Sequence, residues 1–221
     1  MAALRFTLPA MPAPEGSNVA DELRVLARRP VLAALGLTVI GSSAMFTVFT
    51  YITPILQTQT NASLAFVTAM LVVYGVGLTV GNWLGGKFAD KSVDRTLIVT
   101  LASLSAVLVA FALLMPFHLP VTILVFLWGV ASFALVPPLQ VRVMAAAHDA
   151  PNLASSVNIG AFNLGNAIGA ALGGAVIAGG LGYPAVSLAG AATSAIGLVM
   201  VLWARRGSAR MEGERLAAST C

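Results

Sequence analysis

The twelve Lys and Arg residues of this chain sit in alternate gaps between apolar segments, and that placement constrains the fold most. Six stretches of about twenty or more mostly apolar residues run from Val31 to Trp203, each long enough to cross about 30 Å of hydrocarbon as a helix. The gaps before the first, after the second, after the fourth and after the sixth hold Arg5, Arg24, Arg28, Arg29, Lys87, Lys91, Arg95, Arg142, Arg205, Arg206, Arg210 and Arg215. The other three gaps hold no basic residue. Connectors rich in Lys and Arg stay in the cytoplasm. The pattern therefore predicts six crossings of a cell (inner) membrane, with both termini cytoplasmic.

Composition agrees with this reading. Charged residues make up 9% of the chain and the mean hydropathy is +0.92, whereas a soluble domain carries about 25% charged residues. In lipid each backbone polar group must be satisfied within its own segment, which selects helices or a closed barrel. The alternating pattern of barrel strands is absent, so the expected class is all-α and polytopic. The net charge of +4 does not indicate a nucleic-acid partner, because its basic residues are divided among four short connectors. They read as topology determinants that also meet anionic lipid head groups. The one cysteine, Cys221, has no internal disulfide partner. Pro9, Pro12 and Pro14 interrupt the first residues before a signal-peptide core develops, so the first membrane helix is expected to direct insertion.

Residues 1–29 read as a cytoplasmic linker. Ser17 or Asn18 can cap a short amphipathic helix on which Val19, Leu23 and Leu26 recur at helical spacing. Pro30 then falls where helix starts tolerate proline. The membrane domain spans residues 30–204, with helices expected over about 31–56, 64–86, 96–115, 121–141, 154–178 and 185–203. Residues 205–221 form a polar tail. No repeat with a period of about 30–45 residues is visible.

None of the eight acidic residues lies within an expected span, and His118 and His148 also fall in loops. Proton-coupled transporters usually place ionisable groups in the membrane, so a coupling proton would need a group from elsewhere. Metal constellations, nucleophile–base pairs and phosphate loops are not seen in the sequence, which gives no basis for an enzyme or a cofactor. The polar groups inside the spans are neutral. Ser43, Thr47, Thr50 and Pro54 form one stripe of helix one, with Tyr51 beside it. On helix five, Asn158, Phe162, Gly165, Asn166, Gly169 and Gly173 share an arc of about 100°. Helix four offers Trp128, Ser132 and Gln140, and helix two offers Tyr74 and Asn82. Such faces either pack helices together or line a water-accessible cavity. Pro137 and Pro138 predict a kink near the inner end of helix four.

The segment Gly85-Gly86-Lys87-Phe88-Ala89-Asp90-Lys91-Ser92-Val93-Asp94-Arg95 resembles the loop signature of the major facilitator superfamily. Gly86, Asp90, Lys91 and Arg95 match it, while Val93 and Asp94 stand where a glycine and a basic residue are usual. Asn152–Tyr183, with Thr50-Tyr51-Ile52-Thr53-Pro54 and Val136-Pro137-Pro138-Leu139-Gln140, is similar to the arabinose-efflux-like branch of the drug:proton antiporters. The likeness covers about residues 20–205 and implies the C-terminal half of a major facilitator fold. It further implies secondary-active efflux of small molecules such as sugars or drugs by alternating access. Together with helix-face geometry it nominates a cavity lined by Phe46, Thr47, Thr50, Tyr51, Tyr74, Trp128, Phe162, Asn163 and Asn166. It implies a conformational role for Gly86, Asp90, Lys91, Arg95 and Arg142, with Asp90 bracing a helix terminus or Arg142.

Two readings follow for function. The chain is a transporter component, completed by an N-terminal six-helix half or by a second copy. Alternatively it is a truncated or non-transporting membrane subunit that pairs with another six-helix half. The topology is testable directly. Reporter fusions within Lys87–Arg95 should report the cytoplasm, and fusions within Gln57–Ala62 the opposite face. Reports from the same face would contradict the alternating charge pattern.

Overall fold

A computed structural model of the chain describes residues 24–219, with side chains described through residue 207. Of the expected capped helix carrying Val19, Leu23 and Leu26, the part before residue 24 lies outside the described residues, and residues 24–26 are helical. The elements are α1 Arg29–Phe49, α2 Ile52–Gln59, α3 Leu64–Ala89, α4 Val93–Leu114, α5 His118–Ala134, α6 Val136–Ala146, α7 Pro151–Ala178 and α8 Gly182–Ser219. Among the described residues there is no strand. Among the described residues six segments are long and apolar enough to cross a membrane: α1, α3, α4, the pair α5–α6, α7 and α8 to Gly207. The all-α, six-span class is thus the observed one. One end of the bundle carries the basic connectors and is called the basic end below.

Several helix limits differ from expectation. Helix one is broken at Thr50 and Tyr51, where Tyr51 adopts φ −112 and ψ 11 before α2 begins. Pro54 explains the position. It lacks the N–H that would bond the Thr50 carbonyl, and its ring clashes with that same carbonyl. The Tyr51 N–H instead reaches back to the Val48 carbonyl at 3.0 Å. Helix four is broken at Leu135 between α5 and α6, because Pro137 and Pro138 act in the same way on Phe133 and Ala134. Helices also overrun their apolar cores. Lys87 lies in the last turn of α3, Asp94 in the first turn of α4 and Arg142 within α6. These three charges were expected in loops. A helix continues past the hydrocarbon wherever its backbone bonds still close and its charged ends reach water. For the same reason α8 runs into the expected polar tail, as far as Ser219.

The turns are built by side chains. Ser63 caps α3 by accepting from the Phe66 N–H at 3.2 Å, and Ser92 caps α4 by accepting from the Arg95 N–H at 3.4 Å. At the other end of the bundle the Thr60 hydroxyl donates to the Met115 carbonyl at 2.6 Å, tying the α2–α3 turn to the end of α4.

Packing follows a rule. α1 packs on α7, α3 on α5, α4 on α8, α1 on α8 and α4 on α5. Exchanging the first three spans with the last three maps this set onto itself. Equivalent spans run in opposite directions, so the halves of the bundle form an inverted repeat. The repeat escaped sequence inspection because its period is about half the chain. Two glycine ridges expose it. A Cβ at Gly165, Gly169 or Gly173 of α7 would come within 3.0 Å of the α1 backbone or of the Tyr51 ring. A Cβ at Gly77, Gly81 or Gly85 of α3 would similarly strike the α5 backbone at Phe126, Val130 and Ala134. Each ridge ends at the break of the helix it contacts, Gly173 at Tyr51 and Gly85 at Ala134. Outside the bundle, large apolar side chains such as Val72, Leu113 and Val199 face outward, as a lipid-facing surface requires.

Gly81→Leu and Gly169→Leu should each wedge the paired helices apart, at about 1–3 kcal/mol or more. Gly75, whose added Cβ would meet nothing within 4 Å, serves as the control. Thermal unfolding in detergent should show lowered midpoints for both leucine variants and an unchanged or slightly raised midpoint for Gly75→Ala. Equal midpoints for all three would contradict the ridge packing.

Candidate functional site

The nominated cavity residues separate into three settings. Thr47, Tyr74 and Trp128 are buried within this chain's own bundle. Tyr74 and Trp128 have ring centroids 4.5 Å apart, and Phe49 stacks on Tyr74 at 5.3 Å. Phe46 joins Phe49 at 5.4 Å, and Phe111 lies 6.2 Å from Trp128. This aromatic column links α1, α3, α4 and α5 at the level of the α1 break. Sequence reasoning passed over Phe49, although it follows Phe46 by three residues and so shares its helix face. The Trp128 Nε1–H and the Ser43 hydroxyl are buried without a hydrogen-bond partner.

The second setting is the α1–α7 seam. The Ser42 hydroxyl, which was not nominated, lies between the Phe162 carbonyl at 2.9 Å and the Asn166 Oδ1 and shares its one proton between them. The Tyr51 hydroxyl donates to the Ala170 carbonyl at 2.9 Å. Gly169 and Gly173 make room for these contacts, so Phe162 and Asn166 at one level and Tyr51 at another lie along one seam, each partly exposed. In the third setting Thr50 and Asn163 are exposed. The Thr50 hydroxyl is occupied by the Phe46 carbonyl at 2.9 Å. Asn163, one residue before the middle of α7, presents an amide beside the seam.

The basic end is cross-linked by polar contacts. Arg142 of α6 pairs with Asp94 of α4 at 2.7 Å. Asp90, expected to meet a helix terminus or Arg142, is exposed at the C-terminal end of α3, where its N–H bonds the Gly86 carbonyl at 3.1 Å. The start of α4 at Val93 places Asp94 opposite α6, so the family's usual basic position is here the acidic partner of an arginine. Gly86, though part of the signature, faces open space, and Gly85 makes the close approach. Gln140 of α6 donates to the Ser155 hydroxyl at 2.7 Å and accepts from the Asn158 amide at 2.6 Å, fastening α6 to α7. Both amides were visible in the sequence as polar residues within apolar spans, where each needs a partner. Their pairing was not. Arg28 binds Asp149 at 2.6 Å and His148 binds it at 2.7 Å, which joins the start of α1 to the α6–α7 connector. The hydrogen bond from Arg28 holds the Asp149 carboxyl below the usual carboxylate range, with the nearby His148 adding to the effect.

Comparison with known proteins gives this arrangement a family. The Major Facilitator Superfamily profile matches residues 1–158. The chain is 52% identical over 206 residues to the inner membrane transport protein YdhP of Escherichia coli, covering 93% of this chain and 53% of that protein. It is 32% identical over 184 residues to the MFS-type transporter YfhI of Bacillus subtilis, covering 83% and 46%. It is 33% identical over 201 residues to a protein of Helicobacter acinonychis named "Probable sugar efflux transporter", covering 89% and 49%. The chain spans about half the length of the curated relatives it matches. With six spans in an inverted repeat and a profile match over most of its length, the chain belongs to the Major Facilitator Superfamily.

Proposed function

We propose that the chain is the C-terminal half of an inner-membrane secondary transporter that exports small neutral or amphipathic molecules, such as sugars or drugs, by alternating access. The reading is carried by the α1–α7 seam. Along it Ser42 contacts Asn166 and the Phe162 carbonyl, Tyr51 reaches the Ala170 carbonyl further along α7, and Asn163 is exposed on the same helix. An aromatic surface with a few amides suits solutes that are hydrogen-bonding but uncharged. The names of relatives as transport proteins, one of them for sugar efflux, support the same class. The basic end faces the cytoplasm under the positive-inside rule, which puts both termini there.

Six spans supply one wall of such a cleft. The second wall comes from an N-terminal six-helix half or, in the absence of one, from a second copy. Asp94 is paired with Arg142 at the membrane edge, so a coupling proton would be carried by that second wall. Asp90 remains the residue proposed to brace a helix terminus at the basic end, since Arg142 is taken by Asp94 and the Asp90 carboxylate is exposed. The competing reading is a non-transporting subunit that pairs with another six-helix half.

Efflux of sugars and amphipathic dyes from cells separates the two. Cells expressing this chain together with an in-frame upstream six-helix segment should export, and cells expressing the chain alone should not unless a second copy completes the cleft. Within the active form, Asn163→Leu should cut efflux about fivefold to tenfold, the loss of one substrate hydrogen bond. Asp90→Asn should reduce flux with membrane insertion unchanged. Full efflux in both variants would remove these residues from the mechanism, and silence of every combination would favour the non-transporting reading.

A further inference from the structure

The geometry points to a binding site for one anionic phospholipid at the basic end, in the groove between α3 and α4. The site uses Lys91 and Arg95 of the loop signature and does not rest on the transport reading. α3 and α4 each pack on α5 and touch one another little, so the cleft between them opens away from α5. The opening has a volume of about 330 Å³ and is lined by Gly85, Phe88, Lys91, Ser92, Arg95, Thr96, Val99, Thr100 and Ala134. Gly85 seats against Ala134 and closes the floor.

The lining is divided by chemistry. Lys91 and Arg95 sit at the mouth, both exposed, and neither has a carboxylate within salt-bridge distance among the described residues. The nearby Asp94 is held by Arg142 on the other side of the turn. Asp90 is the remaining carboxylate of this connector, and it is exposed at the end of α3. Ser92 caps α4, whose positive N-terminal end lies between the two cations. One turn further into the membrane the surface is apolar. Phe88 and Val99 are 48% and 63% exposed, so an acyl chain can lie against them. Thr96 and Thr100 are buried at the base of the groove, and their hydroxyls are taken up by the Ser92 and Thr96 carbonyls at 2.8 Å each. A phosphate fits beside Lys91 and Arg95, and its glycerol and acyl chain follow the groove.

A negatively charged head group suits two cations without a carboxylate partner, one of them, Lys91, lying 6.0 Å over the Phe88 ring, whereas the choline of a zwitterionic lipid brings a cation of its own. α7, which carries Asn163 and Asn166, packs on α1, α6 and α8, so the groove lies apart from the proposed substrate seam. Two Lys or Arg side chains near an anionic surface should together give on the order of a tenfold or greater preference for an anionic lipid.

Native mass spectrometry of the purified full chain in detergent tests this. Phosphatidylglycerol and phosphatidylcholine of the same acyl composition are titrated separately. The unmodified chain should retain phosphatidylglycerol at least about tenfold better than phosphatidylcholine. Lys91→Gln/Arg95→Gln should abolish the preference, while Arg205→Gln/Arg206→Gln, which removes an equal charge elsewhere, should leave it. Lys91→Arg/Arg95→Lys, which keeps the charge, should also preserve it. Val99→Trp should weaken lipid retention by filling the apolar path with the cations intact, and inorganic phosphate should not displace the lipid. Equal retention of both lipids, a preference surviving in the double glutamine variant, undiminished binding in Val99→Trp, or displacement by phosphate would each overturn the site.

Discussion

Helices immersed in lipid gain nothing from hiding apolar surface, because the tails around them are equally apolar. Association must come from close backbone approach and from hydrogen bonds between spans. Here the approach is made twice by the same device. Three glycines, four residues apart, let α7 lie on α1, and three more let α3 lie on α5. Both contacts join helices that run parallel, and they are exchanged by the inverted repeat. The distance between these backbones leaves no space for a side chain. The remaining spans, α4 and α8, pack on each other and complete the bundle.

The ridges also account for where the polar chemistry lies. Each ends at a break imposed by proline, at Thr50–Tyr51 or at Leu135. A broken helix leaves carbonyls without their usual donors, and such backbone is tolerated at membrane depth only where protein or water covers it. Next to the first break, Tyr51 turns its ring against Gly173 and Gly174 and its hydroxyl toward the Ala170 carbonyl. Next to the second, Gln140 bridges Ser155 and Asn158. The breaks lie near opposite ends of the bundle, as an inverted repeat requires. The α1–α7 seam carries Asn166 at partial exposure with Asn163 exposed beside it, and this is why the functional reading centres there.

The spans and their alternating basic gaps were legible in the sequence, because lipid demands long apolar helices and the charges cluster at one end. Other features were hidden for identifiable reasons. The breaks were visible as Pro54, Pro137 and Pro138, yet helix one was read through Pro54 because its apolar run continues to Leu56. Helix ends were drawn at the last apolar residue, whereas Lys87, Asp94 and Arg142 show that the backbone pattern outlasts the apolar one. The inverted repeat survives in glycine spacing and paired breaks, and both require knowing which helices touch. Helix-face reasoning brought Tyr51, Phe162 and Asn166 to one seam. It could not tell that Tyr74 and Trp128 turn inward, because a face rich in aromatic residues looks the same whether it meets a cleft or a neighbour. The Arg142–Asp94 pair joins residues 48 positions apart and needs the fold to be seen.

The close approach of α1 and α7 can be measured with a single cross-link. Cys221 is the one native cysteine, so a Cys221→Ser background is free of competing thiols. In that background Ser42→Cys/Asn166→Cys places two thiols where a hydroxyl and an amide now touch. Mild oxidation in membranes should form an intramolecular disulfide in most of the protein, while Ser42→Cys paired with Ile168→Cys, which points outward, should not cross-link. Failure of the first pair to oxidise, or equal oxidation of both, would contradict the glycine-ridge packing on which the bundle depends.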